Sequence, residues 1–335
     1  MERVAENLNR ALRTAFDADP GLYLLGEDVL DPYGGAFKVT KGLSGRYPDR
    51  VITTPISEGA LVGVANGLAL CGHRAIVEIM FSDFVTLAFD QIVNFAAKSV
   101  SMYGRPVPMP VVVRCPTGGQ RGYGPTHSQS LQKHFIGVPN LSVHEISPFH
   151  DNTALLAGLL DRGEPAVLFE DKVLYGQPMY GDGVVDDLIG FDLPHGALGA
   201  ARAGIKDLDH HDCVIIATGG VARRALTAAR SLFIEDEISC EVLVPTRLYP
   251  FDVEPLLPLL DKADLVCVVE DSTAGGTWGS EIAGDIYSGL WGRLRHPVLL
   301  CSAAGSIVPT AAHLERRVLP QAADIHRAIV EALGA

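Results

Sequence analysis

Short apolar runs alternate with helical patterns along this chain, and that alternation leaves few folds open. Strand-length runs at about residues 22–25, 75–79, 111–114, 141–146 and 166–170 are separated by helical spacing at about 3–17, 58–71, 84–103 and 150–162. Strands separated by helices pair in parallel, and the helices cover the resulting sheet. The pattern then restarts, with runs at 213–217, 240–245, 265–270 and 298–301 and helical stretches at 220–234, 252–262, 278–290 and 322–333. Two α/β domains with mostly parallel sheets are expected, and 335 residues is a length that suits two cores. Between them QPMYGDGVVDDLIGFDLPHGALGAARAG is rich in Gly, Pro and Asp and reads as a linker. The expected boundaries are 1–180, a linker at 181–199, and 200–335.

Composition narrows the partners. A net charge of −13 with no Lys/Arg block speaks against nucleic acid or an anionic membrane. The opening MERVAENLNRALRTAF is a charged amphipathic helix, and no run reaches the roughly 18 apolar residues of a membrane span, so the cytoplasm is the default expectation. The cysteines (71, 115, 213, 240, 267 and 301) are scattered without a C-x-x-C pair. They read as small core residues in a reducing compartment, not as disulfides or zinc ligands.

Within TTPISEGALVGVANG, Glu58 opens a helix of small and apolar residues. A carboxylic acid in apolar surroundings holds a proton or seeks a strong partner, and such groups cluster at functional sites. The competing reading is helix capping, since carboxylates favour helix N-termini. Gly59, Gly63 and Gly67 follow as a stripe. Helical glycine costs roughly 1 kcal/mol against alanine, so the stripe predicts close approach of a second helix or a ligand.

Phe84 stands just beyond a strand end, the edge where parallel sheets bind ligands, while Phe89 and Phe95 read as core. The loop CPTGGQRGYGPTHSQSLQKHF presents His127 among Thr126, Ser128 and Gln129, all able to orient an imidazole.

Other signals read as structural. Gly181-Asp182-Gly183 imitates the start of a magnesium–diphosphate motif, but that motif needs a later asparagine, and none follows Asn152. It reads as a turn. Thr218-Gly219-Gly220 reads as a strand-to-helix turn, His210-His211 as a solvated loop, and no G-x-S-x-G elbow is present.

Taken in order, GEDVLDPYGGAFKVTKGLSGRYPDRVITTPISEGALVG, FSDFVTLAFDQIVNFAAK, GPTHSQS and AVLFEDKVLY resemble the β subunit of the two-chain 2-oxo acid dehydrogenase first component. That group includes the pyruvate, branched-chain and acetoin dehydrogenases, among the transketolase-like thiamine diphosphate enzymes. The match is dense to about residue 175 and looser beyond, where TRLYPFD and the stretch 275–283 still fit.

The resemblance implies a pyrimidine-binding domain followed by a transketolase C-terminal-like domain, each an α/β fold of three layers. It implies that Glu58 bonds the aminopyrimidine ring of thiamine diphosphate, that Phe84 stacks on it, and that Ile56 lines the same pocket. His127 would serve intermediates and acyl transfer to a lipoyl carrier. Glu27, at a strand end, is a candidate for a proton relay. By match, the backbone carbonyls of Val111, Leu159, Leu160, Arg162 and Glu164 would hold a structural potassium ion.

An α subunit would supply the grip on magnesium and the diphosphate, in a heterotetramer of two α and two β chains, with a lipoyl-bearing acyltransferase as acceptor. GPTH also resembles transketolase-type loops. A two-carbon ketol transferase delivering to an acyl-carrier protein is therefore the alternative, with a non-catalytic partner subunit as another. The choice of 2-oxo acid or ketol donor stays open.

Overall fold

Helix α1 (Val4–Ala18) repeats Val4, Leu8, Ala11, Leu12 and Phe16 at helical spacing, and all five are buried. Its partner on the same face is α5 (Asn152–Asp161), whose Leu155, Leu156, Leu159 and Leu160 join it in one apolar cluster. In this computed structural model, which describes residues 1–206, 208 and 210–334, the chain forms two compact units. One comprises Met1–Thr117, His134–Ile146 and His150–Met179, and the other Gly118–Lys133, Ser147–Phe149 and the chain from Tyr180 onward.

The first unit is built on strands β1 (Leu22–Gly26), β2 (Val51–Thr53), β3 (Arg74–Glu78), β4 (Val111–Thr117), β5 (Ser142–Glu145) and β6 (Ala166–Asp171). They lie in the order β5-β6-β4-β3-β1-β2, and every pairing is parallel. Leu22, Leu24, Ile76, Val112 and Leu168 project towards α1 and α5. Helix α3 (Glu58–Leu70) packs against β3, after a short helix α2 (Leu43–Arg46) that follows the β1 loop.

Because all strands run the same way, their carboxyl ends meet at one edge. Glu27, the segment leading into Glu58, and Phe84 all follow strand ends there.

Strands β7 (Ile189–Asp192), β8 (Ala201–Ile205), β9 (Cys213–Ala217), β10 (Cys240–Val244), β12 (Leu265–Thr273) and β13 (Leu299–Ala303) form the second unit's sheet, in the order β13-β12-β9-β10-β8-β7, and a short strand β11 (Arg247–Tyr249) follows β10 in the chain. The β9, β10, β12 and β13 pairings are parallel, and β8 and β7 join antiparallel. Helices α6 (Ala222–Asp236) and α10 (Ala322–Leu333) cover the face bearing Cys213, Ile215, Val242 and Cys267. Helix α8 (Trp278–Leu290), which lies in the chain between the short helices α7 (Leu257–Leu260) and α9 (Ala312–Val318), packs against β12 and β13.

Three expectations need correction. The region 84–103, expected as one α-helix, is a 3-10 turn at Ser82–Ala88, a π-helical stretch at Gln91–Ala96 and a last α-turn, α4 (Ala97–Ser99). Phe89, expected in the core, is 37% exposed. The 181–199 stretch, expected as a linker, contains edge strand β7. Gly181-Asp182-Gly183 is indeed a turn, with Val184 N–H donating to the Gly181 carbonyl at 3.1 Å and positive φ at Asp182 and Gly183. All six cysteines are free thiols, although Cys71 is exposed. Among the described residues no helix is long and apolar enough to cross a membrane.

Candidate active site

Glu58 is the first residue of α3 and is 4% exposed. The N-cap position belongs to Ser57, whose side chain makes no capping bond, so Glu58 is not the cap itself. A negative charge in a first helical turn is favoured by the helix dipole. What stands beside it is less ordinary. Glu27, just past the end of β1, is 5% exposed, and its Oε1 is buried with no hydrogen-bond partner.

Burial, and after it the neighbouring Glu58 charge, push the Glu27 carboxyl above the usual range, against a hydrogen bond from the Ser57 N–H. A buried acid with a second carboxylate beside it ionises at a cost, so Glu27 favours keeping its proton. The arrangement suits a ligand that exchanges a proton or a hydrogen bond with a carboxylic acid.

The α3 glycines explain how this acid is enclosed. A Cβ on Gly59 would lie 3.2 Å from the Leu87 carbonyl oxygen, and one on Gly63 would meet Gln91 Oε1 at 3.4 Å. Asn66 Nδ2 donates to the Gln91 carbonyl at 3.0 Å, tying the helix to the same segment. Gly67 faces open space, so the close approach expected of the stripe holds for two of its three members.

Phe84 lies in the 3-10 turn of that segment and is half-buried, edge-on to Phe81 at 6.4 Å between ring centroids. Phe81 in turn meets Phe37 at 5.5 Å and the Lys172 ammonium at 5.4 Å. Ile56, two residues before Glu58, is 79% exposed, and Ile52, Val64 and Leu87 are exposed as well.

His127 is placed differently. The loop carrying it belongs to the second unit, where Gln120 N–H donates to Glu315 Oε1 at 2.7 Å and Lys133 Nζ to the Thr273 and Gly275 carbonyls at 2.8 and 2.9 Å. Thr126 Oγ1 lies 3.0 Å from His127 Nδ1 and orients the half-buried ring.

Leu159 and Leu160 occupy the last turn of α5, Arg162 is its C-cap, and Val111 starts β4. Leu160, Arg162 and Glu164 line, with Pro110, a cavity of about 690 Å³. The last carbonyls of a helix lack intrahelical partners, so oxygen donors are in surplus there.

Two constellations escaped the sequence reading. Arg114 is fully buried on β4. Its Nε and Nη2 donate to Glu170 at 2.7 and 2.8 Å, its Nη1 to Glu78 at 2.9 Å, and Tyr175 Oη donates to Glu170 at 2.6 Å. Burial outweighs the pull of Arg114 and holds the Glu78 carboxyl above its ordinary range. The signal was present in three charges ending the apolar runs AIVE, VVVR and VLFE. His211, expected in a solvated loop, instead turns its Nε2 to Glu241 at 3.2 Å with only 9% of its side chain exposed. His210 is exposed as expected.

The sequence matches the transketolase pyrimidine-binding domain over residues 3–178 and the transketolase C-terminal domain over residues 203–325. It is 35% identical to the mitochondrial pyruvate dehydrogenase E1 component subunit beta-2 of Oryza sativa subsp. japonica, covering 97% of this chain and 84% of that one. It is 32% identical to the acetoin:2,6-dichlorophenolindophenol oxidoreductase subunit beta of Cupriavidus necator, over 95% and 93%. Identity to the pyruvate dehydrogenase E1 component subunit beta of Leifsonia xyli is 34%, over 94% and 90%. Among solved structures, an inactive β4 tetramer of a split-gene transketolase superposes with a TM-score of 0.73 at 20% identity, covering 98% of this chain and 97% of that one. At that identity the likeness speaks for the fold alone.

Proposed function

This chain belongs to the family of pyruvate and acetoin dehydrogenase β subunits, with a transketolase pyrimidine-binding domain followed by a transketolase C-terminal domain, and from that premise we propose that it is the β half of a thiamine diphosphate-dependent 2-oxo acid dehydrogenase whose active site an α subunit completes. The observation carrying the assignment is the buried Glu58–Glu27 pair with its orphaned oxygen at the carboxyl edge of the sheet.

Thiamine diphosphate, when bound, supplies the electron sink that decarboxylation of a 2-oxo acid requires. Glu58 would hold the proton shared with its aminopyrimidine ring. Glu27 would keep that proton from escaping to water, as a relay partner. Phe84 would stack on the ring, and Ile56 would close the pocket once covered. His127, its ring oriented by Thr126, would hold or deliver a proton at the substrate end during acyl transfer.

The exposed Ile52, Ile56, Val64 and Leu87 are the kind of apolar side chains that a partner subunit covers. An α subunit in a heterotetramer of two α and two β chains fits that surface. It would also bring the magnesium and diphosphate contacts, because no asparagine follows Asn152 to complete such a motif here. A lipoyl-bearing acyltransferase would take the acyl group. The carbonyls of Val111, Leu159, Leu160, Arg162 and Glu164 would hold a potassium ion.

The test is Glu58→Gln assembled with the α partner. Removing a general acid–base group is expected to lower the decarboxylation rate by about 10²–10⁴-fold. A rate equal to the parent's would dismiss Glu58 as the proton-holding group.

A further inference from the structure

Four of the cysteines stand on adjacent strands of the second sheet: Cys301 on β13, Cys267 on β12, Cys213 on β9 and Cys240 on β10. Register sets Cys213 opposite Cys240 and opposite Leu265, two residues before Cys267. Cys301 is opposite Val269, two residues past Cys267. Side chains repeat every two residues along a strand, so all four project to one face, the face covered by α6 and α10.

The Sγ atoms of Cys267 and Cys301 are 3.8 Å apart. The two thiols differ in access. Cys267 is fully buried, whereas Cys301 is partly exposed on the sheet's end strand. We propose that Cys267 and Cys301 form a peroxide-reactive dithiol, in which Cys301 meets the oxidant and Cys267 closes a disulfide.

The chemistry balances with one hydrogen peroxide. The Cys301 thiolate attacks a peroxide oxygen, an S–O bond forms as the O–O bond breaks, and the departing hydroxide takes up a proton to leave as water. Cys301 is then a sulfenic acid. The Cys267 sulfur attacks it, an S–S bond forms as the S–O bond breaks, and a second water departs. Two thiols lose two electrons and two protons, and the peroxide is reduced to two waters.

Thiol acidity agrees with this order, because the thiolate is the nucleophile. The hydrogen bond from Cys267 holds the Cys301 thiol below its usual range, against the opposing effect of burial. Bonding to Cys301, and then burial, push Cys267 up. Closing to a disulfide bond of about 2.05 Å requires the two sulfurs to move together from 3.8 Å. Strand β13 is at the end of the sheet, and its pairing with β12 already slips between Val269 and Thr273. Cys213 and Cys240 also face each other, but both are sealed from any oxidant at 0% and 1% exposure.

The full-length folded chain, treated with hydrogen peroxide, then blocked with iodoacetamide in denaturant and mapped without reduction, decides the matter. Expected is the loss of two of the six alkylatable thiols and one cross-linked peptide joining Cys267 to Cys301, reversed by dithiothreitol. Cys71→Ser should keep the cross-link, and Cys301→Ser should abolish it and leave Cys267 reduced. The proposal is overturned if wild-type Cys301 stays unmodified, or stops at the sulfinic acid without a cross-link. It is equally overturned if the only disulfides involve Cys71 or join Cys213 to Cys240.

Discussion

Glu27 carries a pH signature that single substitutions can read. Its folded-state proton affinity is raised, chiefly by burial and then by Glu58. Between the unfolded value, about 4.3, and the raised folded value, the native state holds a proton that the unfolded chain has lost. Stability attributable to this group is therefore present in acid and declines as pH rises through that window. Glu27→Gln keeps an acceptor for the Ser57 N–H and removes the titration. Its melting temperature should match the parent's near pH 4 and exceed it at pH 7, and a variant less stable than the parent at pH 7 would contradict this. Arg114 makes the opposite case. Arg114→Met strands Glu78 and Glu170 in the interior, both no more than 4% exposed in their side chains. A loss of about 3–5 kcal/mol is expected in denaturant unfolding. The triple replacement with Glu78→Gln and Glu170→Gln should recover much of that loss, because the cost lies in unpaired charge.

At the scale of elements, the glycines of α3 separate packing from backbone freedom. Gly67 has nothing within 4 Å of a built Cβ, whereas Gly59 faces the Leu87 backbone carbonyl at 3.2 Å. Gly67→Ala should therefore stabilise the isolated chain by about 0.5–1 kcal/mol. Gly59→Ala should lose that gain or reverse it, since a backbone oxygen cannot rotate away, and urea midpoints that move equally for both would refute the distinction. The long elements were legible because their periodicity is strong. Helix α1 shows buried residues at every helical repeat, and β4, β6 and β9 are buried at every position, as strands covered on both faces should be. Strands β7 and β8 were not legible, because Gly190 and Gly204 interrupt runs of only four and five residues and face each other in register. Apolar residues in 82–99 fit a 3.6-residue period as well as the tighter and wider turns observed, so spacing alone could not find the π-helical stretch. Within the site, Glu58 was legible as a charge in an apolar helix. The pressure on Glu27 was not, since it arises from β1 and α3 being brought together across thirty residues of intervening chain.

The whole molecule sets the limit on what this chain does alone. Its first unit supplies buried acids and an aromatic at one sheet edge, which suits the pyrimidine half of thiamine diphosphate. The diphosphate half needs a metal-binding motif, and Gly181-Asp182-Gly183 is a tight turn with no asparagine beyond Asn152 to complete one. Apolar contact with one ring yields far less affinity than the same contact joined to a charged metal–diphosphate clamp, because linked contacts share one entropic cost of immobilisation. The purified chain should therefore bind thiamine diphosphate only weakly in calorimetry, with or without magnesium, and show no turnover of a 2-oxo acid. Adding the α subunit should restore both together, with the catalytic rate tracking the fraction of assembled complex in sedimentation. The exposed Ile56 gives an independent handle, since Ile56→Asp places a charge on the surface expected to be covered. It should weaken assembly while leaving the melting temperature of the isolated chain within about a degree or two, as surface substitutions usually do. Turnover by the chain on its own would remove the need for a partner and with it the division of the cofactor between two polypeptides.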